Sequence, residues 1–325
     1  MQSKITVIFC HIFFITGLFA STNLFQAKQD GKLCYINNKG KIVIKTQYSD
    51  GSDFSEGLAK VVIGWGTGYI DTSGKLVIEP QTDMFTGWNG SDFKEGLALI
   101  YTRQNLHGFI DKTGKIVIHP EYGSAADFSE GLAQVTSNGK KGFINATGNI
   151  VILPRFDDAG HFSEGLAKAD TDDRSGFIDA SGKWVIEPSF DDARDFSESL
   201  AAVKTDLGWG YINHKGEFTI DPQFLSAYEF HEGKALIAVD SKFGYIDRSG
   251  RIIIEQQFDL ARDFSEGLAA VKINDKYGYI DATGKIVISL KFDFTIQYDN
   301  GLARVDLNGK YGYIDKTGKF IWGPK

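Results

Sequence analysis

The sequence has 325 residues, of which 42% are hydrophobic and 24% are charged, so it is long enough to form a large globular domain. Its 37 glycines and 25 phenylalanines, against six prolines and two methionines, favour many short strands joined by turns over helices. The formal net charge of −7 argues against the basic surface that binds nucleic acid or an anionic membrane.

The N-terminal segment has the pattern of a secretory signal peptide. Residues 1–20 contain Lys4, then an apolar run over 5–19 and the small Ala20. The run has about 15 residues, fewer than the roughly 20 that a membrane-spanning helix needs, so we expect removal and no stable membrane insertion afterwards. The mature protein would be periplasmic, on the cell surface or secreted. Cys34 would then be its single cysteine.

A short linker is predicted over residues 21–30, and from residue 31 onward the chain repeats one motif. A Gly- and aromatic-rich step ends in Ile followed by Asp or Asn, and copies of this Ile lie 34 residues apart, with one interval of 40. The copies are Ile36, Ile70, Ile110, Ile144, Ile178, Ile212, Ile246, Ile280 and Ile314. Tetratricopeptide hairpins share this period, but the recurring glycines and β-branched triplets disfavour helices.

Each unit predicts an antiparallel β-hairpin followed by a third strand. The segment 281–285 fits a hairpin turn in which Gly284 is left-handed and Asp281 bonds the turn amides. The triplet 286–288 that follows is apolar on both faces, which predicts a central strand covered on both sides. A Phe-Ser-Glu-Gly-Leu-Ala segment, as at 264–269, predicts a tight turn into the third strand.

The predicted fold is therefore an all-β tandem array over residues 31–325, with eight full units and a truncated ninth. A unit of about 34 residues is too small to fold alone, so units must stack on their neighbours. Both chain ends carry the same hairpin, which favours an open, twisted or superhelical array. A closed propeller-like ring is the alternative.

The aromatic-Gly step supports a resemblance to a known family. The step is Trp209-Gly210-Tyr211-Ile212-Asn213 in one copy, and other copies replace the tryptophan, as in Phe243-Gly244-Tyr245. With this motif, residues 31–322 resemble the bacterial WG-repeat proteins, also called KWG-repeat proteins. The resemblance implies an exported or surface β-repeat protein with a binding or scaffolding role, since the family mostly lacks an assigned activity.

Catalytic, metal and cofactor sites are not expected from the residue pattern. The histidines after the signal segment stand at different places in their repeats and lack zinc-ligand spacing: His107, His119, His161, His214 and His231. The aspartates that open the hairpin turns could bind calcium, but Asn37, Asn145 and Asn213 replace them without charge, which favours turn capping. Turn chemistry is also favoured for the glutamates of the Phe-Ser-Glu-Gly segments, although an acidic ligand ladder remains the alternative.

Exposed aromatic residues are the candidate binding site. The 40-residue interval adds a loop with Met84, Phe85 and Trp88, and Trp65 and Trp209 are further candidates. We expect a non-catalytic module that binds a protein or a cell-envelope polysaccharide. The alternatives are a structural surface protein that self-assembles through strand edges, and, more remotely, a hydrolase.

Overall fold

A computed structural model describes residues 23–80 and 88–324, which form nine small antiparallel sheets, named blades 1 to 9 in chain order. Blades 1 to 3 contain β1 (Leu24–Gln29), β2 (Lys32–Asn37) and β3 (Ile42–Lys45); β4 (Leu58–Ile63), β5 (Gly66–Asp71) and β6 (Leu76–Ile78); and β7 (Trp88–Gly90), β8 (Leu97–Thr102), β9 (His107–Asp111) and β10 (Ile116–Tyr122).

Blades 4 to 6 contain β11 (Ser124–Ala125), β12 (Leu132–Ser137), β13 (Lys140–Asn145) and β14 (Ile150–Phe156); β15 (Asp158–Ser163), β16 (Leu166–Thr171), β17 (Arg174–Ile178) and β18 (Trp184–Phe190); and β19 (Asp192–Ala193), β20 (Ala201–Thr205), β21 (Gly208–Ile212) and β22 (Phe218–Phe224). Blades 7 to 9 contain β23 (Ser226–His231), β24 (Lys234–Val239), β25 (Lys242–Asp247) and β26 (Ile252–Phe258); β27 (Leu260–Ala261), β28 (Leu268–Ile273), β29 (Lys276–Asp281) and β30 (Ile286–Phe292); and β31 (Phe294–Thr295), β32 (Leu302–Leu307), β33 (Lys310–Asp315) and β34 (Phe320–Trp322).

Strands pair in chain order within each blade, so a complete blade has a first, second, third and fourth strand. Blades 3 to 9 have all four. In blade 2 the chain before β4 takes the first-strand place through the bridge between Gly51 and Val61. In blade 1 the described chain begins at Asn23, and β1 is the second strand. A blade therefore joins the third strand of one sequence unit to the hairpin of the next.

The predicted hairpin turn is confirmed in atomic detail. The Asp281 carboxylate accepts hydrogen bonds from the backbone N–H of Thr283 at 2.9 Å and of Lys285 at 3.2 Å. Gly284 has φ +83°, the left-handed conformation that glycine adopts at little cost. The Thr283 hydroxyl, also bonded to this carboxylate, and the turn amides lower the pKa of Asp281. This turn connects the third and fourth strands.

The β-branched triplets lie in edge strands, so the predicted central strand is wrong. The triplet 286–288 begins β30, the last strand of blade 8, which pairs only with β29. Ile286 and Val287 are each 43% exposed, whereas Ile288 is 3% exposed and faces the next layer of core. A strand that is apolar on both faces can sit at the rim of a ring, where one face is only partly covered.

The core consists of layers between neighbouring blades. Within the described residues, nine hydrophobic clusters join blades 1–2, 2–3 and so on to 8–9, and the ninth cluster joins blade 9 to blade 1. A recurring aromatic pair spans most of these layers, as in Tyr245 and Phe264, whose ring centroids are 4.9 Å apart. Edge-to-face packing of this kind fixes the angle between adjacent blades.

The ninth cluster closes the ring, which corrects the predicted open array. It contains Phe25 and Cys34 of blade 1 together with Leu302, Tyr313 and Trp322 of blade 9. The Tyr313 hydroxyl also donates to the backbone oxygen of Gln26 at 2.8 Å, across 287 residues of sequence. The fold is a closed nine-bladed β-propeller, the architecture that was the alternative.

Blade 1 is adapted to this closure through its second strand. The core position of β1 that holds Phe25 holds a fully buried alanine in every other blade: Ala59, Ala98, Ala133, Ala167, Ala201, Ala235, Ala269 and Ala303. Phe25 packs against Tyr313 with ring centroids 5.6 Å apart, where other interfaces use the aromatic residue that follows the first strand. The predicted linker over 21–30 thus contains a core strand. The hairpin of the truncated ninth unit supplies the third and fourth strands of blade 9, which is complete.

Candidate functional site

Trp65 is the most exposed of the candidate binding residues. It lies in the turn between β4 and β5, after Gly64 with φ +62°, and its side chain is 87% exposed. In most other blades this turn carries only Asp, Asn, Ser or Gly. The exceptions are blade 3, whose turn over 103–106 is longer, and blade 6, where Leu207 is 74% exposed. An indole held in water at a turn tip is available for contact with a partner.

The structure brings Trp65 close to the start of the next blade. Trp88 is the first residue of β7 and pairs with Thr102, and β7 packs against β5. β5 and β7 both begin at the face of the ring where blades connect, so Trp65 and the backbone of Trp88 lie at the same face. Met84 and Phe85 fall outside the described residues, but the chain leaves Pro80 and re-enters at Trp88 on this face.

Trp209, also predicted to contact a partner, lies in the core instead. Its side chain is 7% exposed and belongs to the cluster between blades 6 and 7. The Arg194 guanidinium lies 5.2 Å from the Trp209 ring and 4.4 Å from the Tyr228 ring. The tryptophan of the Trp-Gly step is therefore a structural residue here.

The predicted glutamate ladder links neighbouring blades. In each blade from 2 to 8, the glutamate of the Phe-Ser-Glu-Gly turn accepts hydrogen bonds from backbone N–H groups of the same turn in the next blade. Glu130, for example, bonds the N–H of Glu164 at 2.8 Å and of Gly165 at 2.9 Å. We call this set the glutamate belt. The glutamates therefore bind turn amides, as the sequence favoured, but the turn that each one binds is in the next blade.

The belt glutamates also attract cations from the following blade. Lys112 lies 2.9 Å from the Glu56 carboxylate, and Lys316 lies 2.9 Å from that of Glu266. Burial alone would raise the pKa of Glu56, but the Lys112 ammonium and the Gly96 N–H outweigh it, so the pKa falls below its usual value. The charges of Glu56 and Glu266 are therefore used within the ring.

A second set of carboxylates has no counterpart in the predicted site. The residue just before the aromatic of each Phe-Ser-Glu-Gly turn is acidic in six blades: Asp53, Asp92, Asp127, Asp195, Glu229 and Asp263. We call them the acidic ring. Their recurrence at one register position was a visible signal, but only the ring geometry shows which neighbours they reach: Asp92 accepts the Ser52 hydroxyl of the preceding blade, and Asp127 accepts that of Ser91 at 3.0 Å.

The acidic ring lies where the blades converge. Burial raises the pKa of Asp263, which also interacts with the carboxylate of Glu229 and with Arg194, two blades away. Burial also raises the pKa of Asp53, and so does the charge of Asp299, which lies on the other side of blade 1. A hydrogen bond from the Gln26 N–H lowers this pKa and partly opposes the shift. Asp53 and Asp299 interact although a whole blade lies between them, and so do Asp263 and Arg194, which indicates that the first strands lie near the axis and the fourth strands at the rim.

Neither a metal centre nor a membrane-spanning helix is seen in the part of the chain that is described. Over 23–80 and 88–324, His, Cys, Asp and Glu side chains do not gather in groups of three or more that could hold a metal ion. The same residues include no helix of the length and hydrophobicity that crossing a bilayer requires.

The WG containing repeat matches this chain eight times. The matches cover residues 35–64, 68–102, 108–140, 142–174, 176–206, 209–243, 243–277 and 277–311. They leave out β1 and the final hairpin, which are the elements that meet at the ring closure. No curated protein matches the chain.

Solved structures with a similar fold include proteins of different kinds. A eukaryotic initiation factor aligns with a TM-score of 0.65 at 10% identity, covering 92% of this chain and 95% of that one. Dihydro-heme d1 dehydrogenase NirN, in complex with DHE, aligns at 0.51 and 14% identity, covering 85% and 74%. The computationally designed Ika8 protein aligns at 0.50 and 12% identity, covering 81% and 94%. At these identities the likeness shows the fold alone.

The eight repeat matches together cover well over half of the sequence, and each runs from the third strand of one blade through the second strand of the next. The chain therefore belongs to the family of proteins built from the WG containing repeat.

Proposed function

We propose that this protein is an exported, non-catalytic binding module that holds a protein or a cell-envelope polysaccharide at the face shared by blades 2 and 3. The export rests on the signal-like residues 1–20 of the sequence. The non-catalytic role is supported by the aspartates of the hairpin turns, which cap those turns, and by the glutamates of the belt, which join blades. A rigid ring with one irregular, aromatic face suits recognition.

The observation that carries this proposal is the exposure of Trp65. Tryptophan is enriched at the centres of interfaces because its large ring loses much water-exposed surface on binding. At 87% exposure, Trp65 keeps nearly all of that surface in water. Its neighbour across the blade boundary, β7, follows the longest connection between blades, and connecting segments are common sites of recognition.

Self-assembly through strand edges is the weaker alternative. That hypothesis used the unpaired edges at the two ends of an open array. In the described residues the two ends pack on each other through Phe25 and Tyr313, so the ring does not present two free ends. Light scattering at high concentration separates the two roles, since a binding module is expected to remain a monomer.

Replacing Trp65 by Ala tests the proposal, with Leu207→Ala as the matched control. Leu207 is the other exposed apolar residue of an equivalent turn, four blades away. We expect Trp65→Ala to weaken binding of a partner from the cell envelope by about tenfold or more, in the range of an interface hot spot. Leu207→Ala should bind as the unmodified protein does.

The measurement is affinity capture from envelope extracts, followed by titration of the captured protein or of purified envelope polysaccharide. Loss with Trp65→Ala and not with Leu207→Ala supports the face of blades 2 and 3. Equal binding by all three forms, with unchanged thermal unfolding, would remove Trp65 from the binding site.

A further inference from the structure

Four asparagines in the sequence are followed by glycine: Asn89, Asn138, Asn300 and Asn308. An asparagine in this context can lose its side-chain amide without an enzyme. The backbone nitrogen of the glycine attacks the amide carbon, and glycine has no Cβ to hinder the approach. Because this nitrogen must first give up its proton, the surroundings of the glycine N–H set the rate of the reaction.

Two of the four pairs occupy equivalent turns and have the same backbone conformation. Asn138-Gly139 connects β12 to β13, and Asn308-Gly309 connects β32 to β33; a lysine follows in both. The asparagines have φ +49° and +54°, and the glycines have φ +75° and +73°. All four residues are exposed. Turn geometry and access to water therefore do not distinguish the two pairs.

A carboxylate from the chain that enters the first strand does distinguish them. In blade 9, Asp293 accepts the backbone N–H of Asn308 at 2.5 Å. The Lys276 ammonium, this N–H and the Gly309 N–H together lower the pKa of Asp293. Removal of the Gly309 proton would break a charge-assisted hydrogen bond and place a second negative charge beside the carboxylate. In blade 4 the residue equivalent to Asp293 is Gly123.

Blades 5 and 8 show that this carboxylate is a regular feature of the turn. There Asp157 and Asp259 accept the N–H of the first turn residue, at 3.1 and 2.8 Å. Asp157 also reaches the turn of blade 4, where it binds the Lys140 ammonium. Among the residues that the structure describes, the Gly139 N–H is given no acceptor.

The other two pairs are restrained in different ways. The N–H of Gly301, which follows Asn300, donates to both carboxylate oxygens of Glu266 in the glutamate belt, at 3.1 Å each. Asn89 lies within β7, where pairing with β8 holds the backbone extended. The attacking nitrogen is thus least restrained in the pair that begins at Asn138.

We propose that Asn138 is a modification site, at which the folded protein releases ammonia and gains an aspartate or an isoaspartate. The Gly139 nitrogen gives its proton to hydroxide and bonds to the amide carbon of Asn138, and the amide C–N bond breaks to release ammonia. Water then opens the succinimide ring at either carbonyl. Each product adds a negative charge to the face that carries Trp65, and the isoaspartate also lengthens the backbone of the turn. This modification does not depend on the function proposed for that face.

Peptide mapping by mass spectrometry, on the purified full chain stored at mildly alkaline pH, measures all four pairs in one sample. We expect Asn138 to convert at least about tenfold faster than Asn308, the factor that a hydrogen bond to a charged group is worth. In guanidinium chloride, which removes the turns, both should convert at similar rates because Gly-Lys follows each of them. Equal conversion of Asn138 and Asn308 in the native protein, or faster conversion of Asn308, would overturn the proposal.

Exchange of the carboxylate between the two blades tests its role. Gly123→Asp supplies the missing side chain where there is room, since a Cβ there would meet only the Thr136 oxygen, at 3.9 Å. This variant should slow conversion of Asn138 at least about tenfold, and Asp293→Ala should speed conversion of Asn308 by a similar factor. An unchanged rate in either variant, with the native fold intact, would contradict the protection by the carboxylate. The comparison of Asn138 with Asn308 in the unmodified chain remains decisive if a variant does not fold.

Discussion

The glutamates of the belt show how one residue type, repeated, can join a ring. Each sits at a positive φ in its own turn, about +50°, and bonds the turn of the next blade. A neighbouring serine repeats the link: Ser163 gives its hydroxyl to the backbone oxygen of Phe196 at 2.7 Å. Sequence reasoning identified turn chemistry at these positions, but a pattern along one chain does not reveal which turn a carboxylate reaches.

Glu130→Ala should destabilise the propeller by about 1 kcal/mol, because two backbone N–H groups lose a charged acceptor near the surface. Glu130→Gln should not restore full stability, since one amide position would present N–H₂ to an N–H donor. The free energy of unfolding, from urea titration, measures both. Glu187→Ala, at an exposed strand position of blade 5, is the control and should change stability little. Equal effects at Glu130 and Glu187 would contradict the belt.

A glycine lies where the pairing between the third and fourth strands is irregular, and it allows the two backbones to come close. The register between β13 and β14 shifts on both sides of Phe143, and Gly142 lies within this irregular stretch. A Cβ atom on Gly142 would lie 2.5 Å from the Ile152 oxygen and 2.6 Å from the Pro154 nitrogen. This glycine is the Gly of the aromatic-Gly step, so in this chain that glycine lets two backbones approach each other closely.

Gly142→Ala should therefore destabilise the protein by about 3 kcal/mol or more, because backbone atoms must move to admit the methyl group. Gly123→Ala is the matched control. Its φ is not positive, and its Cβ would meet only the Thr136 oxygen, at 3.9 Å. Thermal or urea unfolding compares the two variants. Similar stabilities for both would argue against the close approach as the reason for the glycine.

Element types were predictable from the sequence, but the order of strands within a sheet was not. The hairpin at 281–285 formed as expected, since its turn residues act locally. The triplet 286–288 was assigned to the centre of a sheet because both faces are apolar, and it is a rim strand. A run of apolar residues shows only that side chains are covered, not which element covers them. In this ring the covering element is the next blade.

At the scale of the whole molecule, closure depends on residues that break the repeat. Blade 1 has Phe25 where other blades have alanine, and Ala27 where most have valine or isoleucine. The larger Phe25 and the smaller Ala27 together fill the interface with blade 9, although the described part of blade 1 has no first strand. The signal was present in residues 24–29, but the segment was assigned to a linker because it precedes the first recognisable aromatic-Gly step.

The candidate contact residues Trp65 and Trp209 differ in exposure for the same reason. Trp65 is exposed because it occupies a turn, whereas Trp209 occupies the aromatic-Gly step and is buried between blades. Residue type alone does not separate these two environments. Position within the repeat does, once the blade boundaries are known.

Closure of the ring between blades 1 and 9 is the central claim, and the Cys34 thiol tests it most directly. Cys34 is 2% exposed and packs in the closing cluster with Leu302, Tyr313 and Trp322. In a closed ring, a maleimide should modify Cys34 of the native protein only as fast as the protein unfolds. Peptide mass spectrometry follows the reaction and distinguishes modified Cys34 from modified Cys10. Rapid modification of Cys34 while the native spectrum persists would contradict the closed propeller and restore the open array.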